Sequence, residues 1–415
     1  MEPLTEKELD NNTSSKKIKI VLGILIAVII VLIIVLIIVI ATKKTETITV
    51  EKIVEKETGN IDWRFYGTIF PNISYANDNN IIINSFKENG ANYNSTIGNI
   101  NDGKDYEKNE RNIYSLYIPY SATQRKSENN HIILFIHGGS WVGGDKESLE
   151  PFCKIYAQMG YITATLGYTL LNGNYKNYNI FRQLDEITAC IQSIIAQLKE
   201  QKFDENKFEI ALAGYSAGAH LTLLYSYLMK NSPIPIKFAV NICGPVSLEP
   251  KYFYKNVIFN NTLDSLGIED IKKALDNKSI VRINEDDSTL LYFMNIFIGK
   301  KYSDADLKEM LFENKKINYD NEKYKEMIKV VQHGFPVNFI SEASVPTLCL
   351  YGGNDEVVGV TQYAYLEERY RGNLHLIYSK YATHNFIDLE TEVGINSLRE
   401  LNYQIVNYAK QYFSS

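Results

Sequence analysis

Cysteine, histidine and tryptophan are scarce: 415 residues hold four, six and two of them. Cys153, Cys190, Cys243 and Cys349 form no CxxC pair and no Cys/His metal spacing. Neither a disulfide scaffold nor a structural zinc module is therefore written into the chain. Each cysteine falls in a segment that reads as core helix or strand, where a free thiol behaves as a small hydrophobe. An excess of positive charge is also missing. Lys and Arg number 43 against 49 Asp and Glu, a formal net charge of −6, which leaves no basic footprint for nucleic acid. No internal repeat is visible, so no propeller-like array precedes the globular part.

What is present is globular in kind. Hydrophobic residues make up 45% and charged residues 22%, enough for a sizeable core. The 30 tyrosines are spread along the whole chain with abundant Asn, Ile and Lys. They read as a bias of the coding DNA rather than as an aromatic binding stripe.

One segment differs sharply from the rest. From Ile20 to Thr42 there is no charge, and nearly every residue is Ile, Val or Leu. That run is long enough for a helix to cross a bilayer core of roughly 30 Å. A cleaved secretory signal has a shorter apolar stretch, so residues 20–42 are expected to be a transmembrane anchor behind a tail of residues 1–19. Lys16, Lys17 and Lys19 precede the run and Lys43 and Lys44 follow it, so the positive-charge rule is close to a tie. A short charged tail before a first span more often stays in the cytoplasm, and the large domain is expected outside. Residues 43–60 read as a charged stalk.

From residue 61 to 415 the chain reads as one α/β domain. Apolar, β-branched runs at Ile132–Ile136, Ile162–Leu166, Phe208–Ala213, Phe238–Ile242, Thr347–Tyr351 and Leu374–Tyr378 alternate with helical stretches. The helical stretches are Leu149–Met159, Phe181–Leu198, Ala217–Met229, Tyr363–Tyr370 and Ile395–Tyr412. Such alternation predicts a mostly parallel sheet with helices on both faces. Residues 245–339 are too long for an ordinary connection. They carry helical-looking pieces at Ile268–Ala274 and Asp304–Phe312 and are expected to form an inserted cap.

Four loops after apolar runs carry the chemistry. Gly214-Tyr215-Ser216-Ala217-Gly218 lies between a strand-like run and a helical stretch. A serine hydroxyl attacks only when it is exposed, held and deprotonated, and a tight strand-to-helix turn between glycines supplies the exposure. The alternative is an ordinary turn serine. His137-Gly138-Gly139-Ser140-Trp141 follows the first run, and its small residues let backbone N–H groups point into a cavity, as an acyl-transfer oxyanion requires. A plain glycine turn is the other reading. His137 is expected to fix this loop and Trp141 to line the pocket entrance. In Gly352-Gly353-Asn354-Asp355-Glu356 the candidate acid is Asp355, with Glu356 expected to point the other way. Of the six histidines, His384 alone sits in a loop after the last strand. Serine, acid, histidine is the order such a fold imposes.

These residues together resemble the α/β-hydrolase superfamily, in its carboxylesterase branch of hormone-sensitive-lipase-like and acetyl- and feruloyl-esterase-like enzymes. The resemblance runs from about Asn112 to Phe413. It rests on the HGGSW loop, the GYSAG elbow with His220 beyond it, the GGNDEVV acid loop and the THNF loop. It implies a triad of Ser216, Asp355 and His384, with oxyanion donors at Gly139, Ser140 and Ala217. These motifs are specific for the superfamily and not for a substrate, and no metal or organic cofactor is implied. The Tyr- and Phe-rich stretch between Pro245 and Phe339 is expected to line an apolar pocket suited to small esters with short acyl groups. Ser140 departs from the third glycine usual in the hormone-sensitive-lipase group, and residues 61–111 match nothing in the pattern. A serine amidase or peptidase of the same fold is the enzymatic alternative. A non-catalytic recognition domain is the other, although such relatives generally lose one triad member.

Overall fold

A computed structural model describes residues 67–76, 110–171, 179–228, 232–256, 280–282, 286–380, 382–384 and 392–413. All of them fall within one unit, Arg64–Ser415. The expected anchor, the stalk and the helical piece at Ile268–Ala274 lie outside the described residues.

The centre is an eight-stranded sheet. Its strands are β1 (Gly67–Ser74), β2 (Ile113–Pro119), β3 (Asn130–Ile136), β4 (Ile162–Leu166), β5 (Phe208–Tyr215), β6 (Ile236–Ile242), β9 (Thr347–Gly352) and β10 (Leu374–Ser379), in the order β1-β2-β4-β3-β5-β6-β9-β10. Between β6 and β9 a short antiparallel pair, β7 (Tyr254–Asn256) and β8 (Ile280–Arg282), stands apart from that sheet. In the eight-stranded sheet β2 runs against β1 and β4, and every other pairing is parallel. The six expected strands are present, each within two residues of its expected ends. β1 and β2 extend the sheet on the side where the sequence offered no clean alternation.

The central strands are mostly apolar because both faces are covered. Along β3, Ile132, Leu134 and Ile136 join one core, while Ile133 and Phe135 join the other. On the first face lie α2 (Ile180–Glu200) and α3 (Ala217–Leu228), and on the second α1 (Glu150–Gln158) and α8 (Glu392–Tyr412). α2 starts where Asn179 accepts from the Phe181 N–H at 3.0 Å, filling one of the donors that a helix start leaves open. The four cysteines are free and buried.

The long segment between β6 and β9 contains three α-helices among the described residues: α4 (Ser288–Phe297), α5 (Asp304–Glu309) and α6 (Glu322–Val331). α5 is shorter than the piece expected at Asp304–Phe312 and begins with a Ser303/Asp306 capping box. α4 was not anticipated. Its sequence, STLLYFMNIF, is apolar almost all round, and a short apolar run does not distinguish helix from strand. α7 (Thr361–Arg369) connects β9 to β10 on the sheet.

Candidate active site

β3, β5, β9 and β10 run in one direction, so the loops after them emerge at one edge of the sheet, where open α/β folds gather their ligand-binding groups. The four loops singled out above are these four. Ile136 pairs with Gly214, Tyr215 with Ile242, and Ser379 with Gly352.

Ser216 occupies the left-handed region with φ 52°, a conformation that costs of order 1–3 kcal/mol for a residue with a side chain. Its N–H donates to the Ile242 carbonyl at 2.8 Å, and its own carbonyl accepts from His220 N–H at 3.0 Å. The turn is this tight because β3 passes directly beneath. A Cβ on Gly218 would stand 2.1 Å from the Ile136 carbonyl oxygen, so no larger residue fits.

Ser216 Oγ lies 2.9 Å from His384 Nε2, and His384 Nδ1 lies 2.9 Å from Asp355 Oδ2. A carboxylate can only accept, so Nδ1 carries the proton and Nε2 is left to accept from the serine hydroxyl. Asp355 is fully buried. Its second oxygen accepts from the N–H groups of Val357 and Val358 at 2.8 and 2.7 Å. His384 is held from behind, where Tyr215 Oη donates to its carbonyl at 2.8 Å. The two loops are laced together by Gly353 N–H to the Ser379 carbonyl and Asn354 N–H to the Ala382 carbonyl, at 2.8 and 2.9 Å. Glu356 is exposed and lines the same pocket, while both ring nitrogens of His384 are engaged by Ser216 and Asp355.

The glycine loop after β3 is strained in a row. Gly139, Ser140 and Trp141 have φ 117°, 53° and 63°. A Cβ on Gly139 would lie 2.2 Å from the Gly143 carbonyl oxygen. Among the described residues the amides of Gly139 and Ser140 make no backbone hydrogen bond, and Ala217, first in α3, has no intrahelical acceptor for its own. Ser140, Ser216 and Ala217 face one pocket of about 290 Å³. Its apolar walls include Leu248, Phe253, Leu290 and Phe293. Trp141 is an inner wall rather than an entrance residue, at 3% exposure, with its ring edge-on to Phe297 at 4.6 Å and to His220 at 5.2 Å.

Two nearby histidines are unsuited to act as a base. His137 stacks on Tyr168 at 4.1 Å, as expected for a residue that fixes the loop, and Tyr168 Oη donates to the His137 carbonyl at 2.8 Å. Burial pushes the His137 pKa down to about 4, against the opposing effect of its 2.7 Å hydrogen bond to the Gly138 carbonyl. His220 is buried with Nε2 2.7 Å from the Gly334 carbonyl, and burial pushes it down to about 3. Cys243, φ 52°, ends β6 beside Asp355 and His384, and the donor atoms of all three lie within 4.8 Å of one another. His384 already uses both ring nitrogens on Ser216 and Asp355. The Cys243 thiol is driven well up first by burial and then by the Asp355 charge. Nothing in the sequence marked Cys243, Tyr215 or the Val357 and Val358 amides, because their roles depend on contacts across the sheet edge.

The BD-FAE family profile matches residues 116–370, more than half of the chain. The chain belongs to the BD-FAE family. This is a family of the α/β-hydrolase type, in keeping with the sheet order and the four loops, and the match ends before His384. Among curated proteins no relative matches. Among solved structures the chain is similar to a truncated carbohydrate esterase from gut microbiota, at 14% identity and TM-score 0.49, over 82% of this chain and 97% of that one. It is also similar to esterase B from Lactobacillus rhamnosis, at 14% and 0.48, over 90% and 95%. A hyperthermophilic esterase from the archaeon Pyrobaculum calidifontis matches at 16% and 0.44, over 73% and 82%.

The two buried histidines give this BD-FAE member a pH-dependent stability. Their folded pKa values lie below the unfolded value of about 6.5, so the unfolded chain binds more protons between the two. Stability is therefore fully present above pH 6.5 and falls as pH drops toward 4, by up to about 1.4 kcal/mol per pH unit for each histidine. Urea unfolding at pH 7.5, 6 and 5 should show this decline, and His220→Gln should flatten it. A midpoint that does not change between pH 7.5 and 5 would contradict the assignment.

Proposed function

We propose that this chain is a membrane-anchored serine carboxylesterase that hydrolyses small carboxylic esters through an acyl-enzyme. The observation that carries the reading is the unbroken series from Asp355 through His384 to Ser216, at 2.9 Å for each link, opening on an apolar pocket. Ser216 Oγ attacks the ester carbonyl carbon while its proton passes to His384 Nε2, and the Asp355 carboxylate stabilises the imidazolium. The carbonyl oxygen becomes an oxyanion, met by the amides of Gly139, Ser140 and Ala217. As the tetrahedral centre collapses, the bond to the alkoxy oxygen breaks. His384 returns its proton to the leaving alcohol, and an acyl ester remains on Ser216. Water repeats the sequence from the other side, giving the acid and restoring the serine. Ester and water are the reactants these steps require.

The segment between β6 and β9 acts as the cap, since Thr289, Leu290 and Phe293 of α4 stand beside Ser216. A pocket of about 290 Å³ is at the small end of ligand sites and suits acyl groups from acetyl to butyryl. Residues 20–42 tether the enzyme as a single membrane span, with the catalytic domain on the extracytoplasmic side. The support is the length and apolarity of that run. Among the described residues no helix is long and apolar enough to cross a membrane, and the run lies outside them.

Three measurements test these statements. Ser216→Ala should keep the thermal midpoint while turnover falls on the order of 10⁴-fold or more, and unchanged turnover would remove Ser216 from the mechanism. Across p-nitrophenyl esters from acetyl to dodecanoyl, kcat/KM should peak at acetyl to butyryl. A steady rise toward dodecanoyl would mean a long tunnel, and amides cleaved as fast as matching esters would favour the amidase. The full chain should sediment with membranes until detergent is added, whereas a chain beginning at Asn60 should stay in the supernatant. Sedimentation of the shortened chain as well would refute the tether.

A further inference from the structure

The first turn of α2 reaches the oxyanion loop through a buried polar network that no sequence motif announces. Gln183 is fully buried, and its Nε2 donates to the Thr169 carbonyl at 2.8 Å and to the Trp141 carbonyl at 3.2 Å. The Trp141 carbonyl also accepts from Leu171 N–H at 2.9 Å. Thr169 is itself held by Glu186, whose Oε2 accepts the Thr169 N–H at 2.7 Å and whose Oε1 accepts the Thr169 hydroxyl. Oε1 further accepts from Asn112 Nδ2 at 2.8 Å and from Arg182 Nε at 2.6 Å. Arg182, Gln183, Glu186, Asn112 and Thr169 are all fully buried.

Two facts call for an account of this cluster. A buried ion pair is a poor source of net stability, because desolvation offsets most of the Coulomb attraction. Three consecutive left-handed residues, two of them not glycine, persist only where the surroundings over-determine them. The cluster and the strained loop meet at one carbonyl, that of Trp141. Without the Gln183 amide that carbonyl keeps a single donor, and the loop loses one of the contacts that hold Ser140 and Trp141 at positive φ, the Gly139 carbonyl still accepting from the N–H groups of Val142 and Gly143 at 3.1 and 2.9 Å. A shift of these residues toward ordinary φ values re-aims the Gly139 and Ser140 amides relative to the Ser216 pocket. Fixed donors in a low-dielectric site are what stabilise an oxyanion, and an error of about 1 Å in such a group costs on the order of 100-fold in rate.

We infer that Gln183 is a positioning residue for the oxyanion loop, clamping the Trp141 carbonyl so that the Gly139 and Ser140 amides stay aimed at the carbonyl oxygen of the bound ester. The Arg182–Glu186 pair fixes Thr169, the other anchor of the same side-chain amide. This rests on the reading of Ser216 as nucleophile, so Ser216→Ala is measured in parallel.

Gln183→Leu removes both donors at similar volume, and Gln183→Met does so with a more adaptable side chain should the first variant fail to fold. Rates are taken per active site, titrated with an alkyl phosphonate that labels Ser216. On p-nitrophenyl acetate kcat should fall about 10-fold to 100-fold with KM within about 3-fold. The Ki of a trifluoromethyl ketone, whose adduct places an oxyanion in the loop, should rise in step with the loss of kcat. A packing role alone would lower the number of titratable sites but leave kcat and Ki per site unchanged, and that result overturns the inference. A fall in kcat with no change in the ketone Ki overturns it equally. If Ser216→Ala retains full activity and the phosphonate fails to label the chain, it is the nucleophile assignment that fails, whatever the Gln183 variants show.

Discussion

The parallel hydrogen-bond ladder is the constraint on which the rest of this molecule depends. β3, β5, β6, β9 and β10 point the same way, in registers that bring their last residues level: Ile136 beside Gly214, Tyr215 beside Ile242, Tyr378 beside Tyr351. Interior strands buried on both faces have little room for charged side chains along their length. Polar and strained residues therefore collect where the strands stop. Ser216, Asp355, His384 and the glycine loop meet at one edge for that reason, and the closeness of β3 to the elbow is what excludes any side chain at Gly218.

Burial sorts the site's titratable groups into roles. His137 and His220 lie near Ser216 in the fold but are sealed, each with a ring nitrogen against a backbone carbonyl, and both are driven toward the neutral form. His384 keeps 18% of its side chain exposed and sits between a serine and a carboxylate. Of the three, His384 is the one whose ring nitrogens meet a hydroxyl and a carboxylate rather than a backbone carbonyl. The carboxylate, in turn, is held by the backbone N–H groups of Val357 and Val358, which move only if the whole acid loop moves.

The walls of the pocket come from a different level of organisation. Leu248, Leu290 and Phe293 belong to the segment inserted between β6 and β9, so the shape of the pocket there is set by side chains that are not part of the sheet edge. The glycine loop, by contrast, is tied to α2 through Trp141, Thr169 and Gln183.

Much of this was legible in the sequence. The six strand-like runs, the Gly-flanked serine, the acid after β9 and the histidine after β10 could be placed because each is a local pattern: an apolar run long enough for a strand, closed by residues that a tight loop requires. The bilayer-length run of residues 20–42 was equally legible as composition, and it lies outside the described residues. Other features depended on tertiary contacts. β1 and β2 join the sheet through pairing that their own alternation does not announce. α4 is apolar all round, a pattern that does not choose between helix and strand until a partner surface is present. Arg182, Gln183 and Glu186 belong to no motif in the sequence, and they are fully buried. Their hydrogen bonds reach Asn112, Thr169 and Trp141, outside their own helix. Local propensity and period are properties of a segment, but hydrogen-bond satisfaction is a property of what surrounds it, and only the folded chain decides that.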